Sequence, residues 1–219
     1  MGHLGRHHAR LYAASPETEL VAVVDTDARR AKRIANEYGC EALSGVDTLR
    51  GRVRAVSVAV PTVSHREVAE PLLRAGIDVL IEKPIASTLE DADAINETAR
   101  ANGRIVMVGH TERFNPAMLA LADAVDAPKF FEIHRLAGFT ARSTDIDVVL
   151  DLMIHDLDLL LKFDGSDAVS VDAMGVAALT DKLDIANARI RMASGCVANI
   201  TASRISAESV RRIRVFQSR

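Results

Sequence analysis

Three clusters in this sequence combine residue types and spacings that could carry chemistry. The stretch "IEKP" (81–84) sets Glu82 and Lys83 directly after a short apolar run. At the carboxyl end of a buried strand, a lysine stands partly desolvated beside the crevice where open α/β sheets bind ligands. A surface ion pair at a strand end is the competing account. The stretch "DLMIHDLD" (151–158) holds Asp151 and His155 four residues apart, a spacing that puts both on one helix face, converging on one ligand. Imidazole titrates near neutrality and can take a proton there. The same helix has an apolar stripe of Leu152, Ile154, Leu157 and Leu160. An ordinary core helix with solvated acids therefore competes, although the stripe leaves Asp151 and His155 together on a different face.

The third cluster opens the chain, "MGHLGRHHAR". Gly2 and Gly5 match the second and third glycines of G-x-G-x-x-G, where backbone approaches a pyrophosphate and a helix packs closely on a strand. The helix they open would face phosphates with its free N–H groups and positive dipole end. Asp25 follows Gly5 by 20 residues, where a dinucleotide fold places an acid on the adenosine ribose. Alternatively, Asp25 and Asp27 cap the next helix. An acid at that position repels a 2′-phosphate and favours NAD over NADP, while Arg29 and Arg30 blur the preference. S-adenosylmethionine-dependent methyltransferases share this glycine-plus-acid logic and stay open at this stage.

The elements that must position these residues alternate through the first half. A helix at the start precedes strands over 19–25, 53–61, 78–84 and 104–110. Helices over 27–39, 64–76 and 88–103 separate them. This alternation predicts a parallel α/β sheet, and apolar strands such as "VSVAV" fit burial on both faces. After Asn115-Pro116 the rhythm changes. A short helix, a strand "KFFEIHRLA", a loop through Thr144 and the helix around 148–163 lead into four strands without intervening helices, with a hairpin at Ser194-Gly195. The expected division is 1–115 and 116–219, the second domain built on a mainly antiparallel sheet.

Composition narrows the function classes. The 219 residues are 48% hydrophobic and 26% charged, enough for a sizeable core, and the net charge of −3 carries no blocks of basic residues. With only 4% aromatics and no Trp, neither nucleic-acid nor carbohydrate stacking platforms are expected. Cys40 and Cys196 stand apart, with no CxxC site. No signal-peptide run and no apolar stretch of roughly 18–20 residues is found. The expectation is a soluble cytoplasmic protein without nucleic-acid or membrane partners.

In combination, the order "GHLGRHHAR", "VVD", "VPTVSH", "EKP", "GHTERFNP" and Asp-x-x-x-His resembles the glucose–fructose oxidoreductase/inositol dehydrogenase (Gfo/Idh/MocA) family over essentially the whole chain. Within it, the sequence is most similar to the branch of UDP-N-acetylglucosamine 3-dehydrogenase-like enzymes, which make a 3-keto nucleotide sugar. The resemblance implies a Rossmann dinucleotide-binding domain, NAD (with NADP possible) as cofactor, a sugar or nucleotide-sugar substrate, and a homo-oligomer, dimer or tetramer, formed through the open face of the second sheet. It implies that Lys83 hydrogen-bonds the reacting hydroxyl and that His155 is the base taking its proton while hydride passes to nicotinamide. Asp151 would orient His155 or a sugar hydroxyl. Cofactor contacts would come from Gly2, His3, Leu4, Asp25, Thr26, Val60, Pro61, Thr62, His65, Glu82, Lys83 and Asn115, and Arg142 would reach substrate phosphate or sugar. A non-catalytic NAD-binding module on the same fold is the alternative, which would need neither Lys83 nor His155.

Against that pattern the first strand and its glycine are missing ahead of Met1, and helix and sheet are missing after Arg219. The expectation is a fragment, or a late coding start, with a gap in its sheet and poor NAD binding. Three other patterns bear on metal or phosphate. His3 and His7 have chelating spacing but lack a third ligand. Asp145-Ile146-Asp147 resembles a glycosyltransferase metal clamp but enters a helix. Arg211, Arg212 and Arg214 read as the exposed residues of a strand. No metal is expected.

Overall fold

The computed structural model describes residues 2–140 and 146–218, and the chain forms two compact units, Met1–Gly109 and His110–Arg219. In the first unit α1 (His3–Ala14) leads into β1 (Ala22–Val24), α2 (Ala28–Tyr38) and β2 (Glu41–Leu43). It continues through β3 (Ala55–Val58), α3 (His65–Arg74), β4 (Asp78–Ile81), α4 (Leu89–Ala101) and β5 (Val106–Val108). All pairings are parallel, in two sheets ordered β1-β2 and β3-β4-β5. Among the described residues the second edges of β1 and β3 carry no strand.

Local chemistry explains the boundaries. Asp27 caps α2, accepting from the Arg29 and Arg30 amides, and Gly39 ends that helix at φ 71°, the left-handed region that glycine enters without steric penalty. Thr88 caps α4 through the Asp91 amide. The helices cover β3-β4-β5 with Ala69, Leu72, Leu73, Ile95 and Ala99 packed on Val58, Val79 and Ile81. Val56 and Ser57 are only half-buried and Met107 is 50% exposed, so the expected burial on both faces is corrected: it is deep only where the helices pack. The strands are shorter than the apolar runs that announced them, and β2 was not expected at all. Its residues are exposed or half-buried, so it lacks the apolar signature of its neighbours.

The second unit opens with α5 (Pro116–Ala122) and β6 (Pro128–Leu136). A turn of π-helix over Val149–Met153 runs into α6 (Ile154–Asp164), followed by β7 (Ala168–Val176), β8 (Ile185–Met192), β9 (Val197–Ser203) and β10 (Val210–Gln217). The sheet order is β10-β6-β9-β8-β7. Every pair is antiparallel except β6 with β9. The β8–β9 hairpin turns at Gly195, φ 88°. Its core joins Phe131, Ile133, Ala188, Ile190, Ala198 and Ile200 of the sheet to Met153 and Leu160.

Two buried ion pairs brace this unit, and the first ties the helix to the sheet. Arg135 in β6 is in phase with Phe131 and Ile133, facing inward. Its Nε donates to both Asp156 oxygens at 3.0 and 2.9 Å, and its Nη2 donates to Oδ1 at 2.7 Å. Burial works against the guanidinium charge, and Asp156 and Glu112 outweigh it. Asp184 is 0% exposed. Its Oδ2 accepts from the Ala178, Leu179 and Thr180 amides at 2.7–2.9 Å, and its Oδ1 from Arg204 Nε at 2.9 Å. Arg204 Nη1 in turn donates to Ile146 O at 2.7 Å, anchoring the segment that enters the π-turn. Asp156 at 1% and Asp158 at 8% exposure correct the picture of solvated acids on this helix: both are buried because both are paired.

Arg135→Met strands a buried carboxylate and costs about 3–5 kcal/mol of stability. Arg135→Met with Asp156→Leu costs less than either single change, as a double-mutant cycle in urea will read. Burial alone would raise the Asp184 carboxyl, but its three amide donors and Arg204 hold it well below the usual carboxylate range. A depressed folded-state pKa gives stability that is fully present above pH of about 4 and lost as pH falls below it. Asp184→Asn lacks this contribution, so the gap between its thermal midpoint and that of the parent narrows below pH ~4.

Candidate active site

In the first unit, α1 begins at Gly2, whose extended backbone (φ −70°, ψ −168°) precedes a helix end with no side-chain cap. A Cβ on Gly2 would meet nothing within 4 Å, so the ground before these amides is open. Gly5 is buried, and His3 and Leu4 are exposed. Asp25 follows β1 with its side chain 8% exposed and Arg30 Nη1 3.7 Å from its Oδ2. Its Oδ1 accepts from the Asp27 amide at 2.8 Å. The helix cap is therefore Asp27, and Asp25 orders the turn before it. Thr26 is exposed. An uncapped helix N-terminus for a pyrophosphate and an acid at a strand's carboxyl end for a ribose fit a dinucleotide. Arg30 is the group that moderates the acid's charge.

Val60 and Pro61 are exposed and Thr62 half-buried in the turn after β3. His65, at the start of α3, is 1% exposed. Its Nε2 lies 3.0 Å from Val60 O, and its Nδ1 lies 3.0 Å from Pro84 O and 3.3 Å from Ile85 O. The ring thus bridges the turn after β3 to the segment after β4, shaping that wall from inside. Glu82 is buried and Lys83 half-buried immediately beyond β4. Glu82 also meets His8 of α1, at 2.8 Å, a residue that no sequence motif singled out. His3 and His7, the spaced pair, stack edge to face with ring centroids 4.7 Å apart.

In the second unit, Asp151 lies within the π-turn and His155 in the first turn of α6, both half-buried. A π-turn with its wider i→i+5 repeat stands where a regular helical turn was expected. π-bulges of this kind recur at functional sites. The flanking acids hold the helix. Asp156 bonds Arg135, and Asp158 takes a bidentate pair from Arg113 at 2.7 and 2.6 Å, with His110 Nδ1 3.9 Å away. Asn115 belongs to this unit, where its Oδ1 caps α5 through the Ala117 amide and its Nδ2 donates to Glu112. Asp147 accepts from the Leu150 amide, a capping role. Arg142 and Asp145 lie outside the described residues. Arg211, Arg212 and Arg214 are exposed along β10, as expected.

Arg135 and Asp156 were missed although a signal was present: an arginine in phase with the inward residues of an alternating strand requires a buried partner. The chemistry on offer is separable by unit. The first presents uncapped helix amides that could face a phosphate, an acid at a strand end that could accept from a ribose, and a strand-end lysine. The second presents an imidazole on a helix clamped by ion pairs, able to accept a proton.

Residues 1–110 match the oxidoreductase family with an NAD-binding Rossmann fold, and residues 127–219 match the GFO/IDH/MocA C-terminal domain. UDP-N-acetylglucosamine 3-dehydrogenase of Acidithiobacillus ferrooxidans is 46% identical over 217 residues, 99% of this chain and 69% of that protein. A solved structure of that enzyme matches with a TM-score of 0.92 at 47% identity, over 98% of this chain and 71% of the other. Inositol 2-dehydrogenase of Rhizobium meliloti is 30% identical across 93% of this chain and 66% of its own length. A myo-inositol dehydrogenase structure from Corynebacterium glutamicum matches with a TM-score of 0.88 at 27% identity, over 99% and 70%. The methyltransferase alternative falls with these matches, and NAD is the cofactor they indicate. With both units matched to its two domains, the chain belongs to the Gfo/Idh/MocA family of NAD-binding oxidoreductases.

Proposed function

We propose that this chain carries the NAD-dependent dehydrogenase chemistry of a nucleotide-sugar oxidoreductase, with UDP-N-acetylglucosamine oxidised at C3 as the leading substrate. The supporting observation is the 46% identity over 99% of the chain to an enzyme named for that reaction. Residues 1–115 serve as the NAD-binding region and 116–219 as the substrate-binding and oligomerisation region. When bound, NAD supplies the hydride acceptor. The helix end at Gly2, His3 and Leu4 takes its phosphates, and Asp25 with Thr26 takes the adenosine ribose. The segment Val60 to Thr62, with His65 behind it, walls the nicotinamide end. Glu82 and Asn115 lend support.

Lys83 donates to the reacting hydroxyl and stabilises the charge that develops as its proton leaves. His155 accepts that proton, and Asp151 orients the imidazole or a neighbouring sugar hydroxyl. Arg142 contacts the substrate's phosphate or sugar. No helix among the described residues is long and apolar enough to cross a membrane, and both cysteines are free, in keeping with a cytoplasmic enzyme. Val169, Val171 and Met174 of β7, each more than 60% exposed, support self-association. A second reading, oxidation of an inositol, rests on the 30% identity to inositol 2-dehydrogenase.

His155→Ala lowers kcat by about 10²–10⁴, and Lys83→Ala lowers it comparably. Both leave NAD affinity within about threefold, as read by calorimetric titration beside NADH absorbance. Full turnover in both variants overturns the catalytic assignment. Assayed with UDP-sugars and inositols side by side, the chain is expected to reduce NAD fastest with UDP-N-acetylglucosamine. Reduction with inositols alone selects the second reading.

A further inference from the structure

His8 lies in the second turn of α1 and joins two strands of its own unit. Nε2 is 2.8 Å from Glu82 Oε1, just beyond β4, and Nδ1 shares a hydrogen bond with Ser57 Oγ in β3. The two side chains are 17% and 10% exposed, so water competes little for this hydrogen bond. Glu82 is confined from other directions as well. Its amide donates to Val58 O at 3.0 Å, and the Gly109 amide donates to Ile81 O at 2.7 Å. A Cβ at Gly109 would stand 3.1 Å from Glu82 Oε2 and 3.4 Å from Glu82 Cα, so the glycine permits this close approach. Burial alone would push the Glu82 carboxyl up, but His8 and the Lys83 amide hold it below its ordinary value, which keeps a full negative charge opposite the imidazole.

The next residue is Lys83, a point charge on a flexible four-carbon stem. A misplacement near 1 Å in such a group costs on the order of 10²-fold in rate. Its backbone must therefore be fixed by neighbours, and the helix that fixes it is the one whose N-terminus opens at Gly2. We propose that His8 and Glu82 are a positioning pair that locks the backbone at Lys83 to α1, setting the lysine and the phosphate-facing helix in one frame. This rests on the assignment of Lys83 to the reacting hydroxyl. The contacts themselves do not involve the substrate, so His8 is a positioning residue and not a catalytic one.

The test reads amide hydrogen exchange by NMR in the chain without cofactor or substrate, followed by kinetics. His8→Leu should raise exchange at the Glu82 and Lys83 amides about tenfold while leaving the Ile95 and Ala99 amides of α4 unchanged. It should lower kcat ten- to a hundredfold with NAD affinity within threefold. His8→Gln places an amide nitrogen where Nε2 stood and should restore slow exchange and at least a third of kcat. If His8→Leu fails to fold, Glu82→Ala supplies the exchange comparison alone, because Glu82 also stands beside the cofactor in the proposed site. Unchanged exchange at Glu82 and Lys83, a uniform rise across the unit, or a His8→Gln chain no better than His8→Leu overturns the proposal. Because exchange is measured without turnover, failure of the dehydrogenase reading leaves that result standing.

Discussion

A carboxylate at 1% exposure, Asp156, can stay in the interior of the second unit only because Arg135 meets it with three hydrogen-bond contacts. An isolated charge there would carry a penalty larger than a typical domain's margin of stability. The pair therefore fixes the rotation of α6 against β6, and the rotation decides where the neighbouring His155 stands. Arg113 with Asp158 repeats the device two residues further along. Arg204 reaches the other end by holding Ile146 O ahead of the π-turn. A helix carrying a candidate base is thus held by charge pairs at several points, with a packed sheet beneath it.

The first unit uses a different constraint. The residues proposed to meet cofactor and substrate stand just past its short parallel strands: Asp25 after β1, the Val60 turn after β3, Glu82 and Lys83 after β4. Two histidines stitch these ends together from inside, His65 between the turns after β3 and β4 and His8 between α1 and both strands. Buried polar side chains at such places are stabilised by hydrogen bonds to one another and to nearby backbone carbonyls.

Much of this was legible in the residues. The strand–helix alternation, the caps at Asp27 and Gly39, the hairpin at Gly195 and the change of rhythm after Asn115 each rest on short-range rules. EKP together with Asp-x-x-x-His marked the family that the comparisons bear out. What stayed hidden involved partners distant in sequence or departures from a regular period. Arg135 and Asp156 are 21 residues apart on different elements. His8 meets Glu82 across 74 residues. The β2 strand, only three residues long, forms because β1 offers it an edge.

By itself, the sequence determined the order of elements, the parallel and mainly antiparallel halves, and which side chains could do chemistry, because periodicity, capping and turn preferences act within a few residues. The tertiary structure decided which of those side chains are braced, and by what. Only folding brings Arg135 to Asp156 and His8 to Glu82. A π-turn at Asp151 likewise stands where spacing implied a regular helical turn. A buried charge chooses its partner by position in space, and that choice is written in the packing of distant segments.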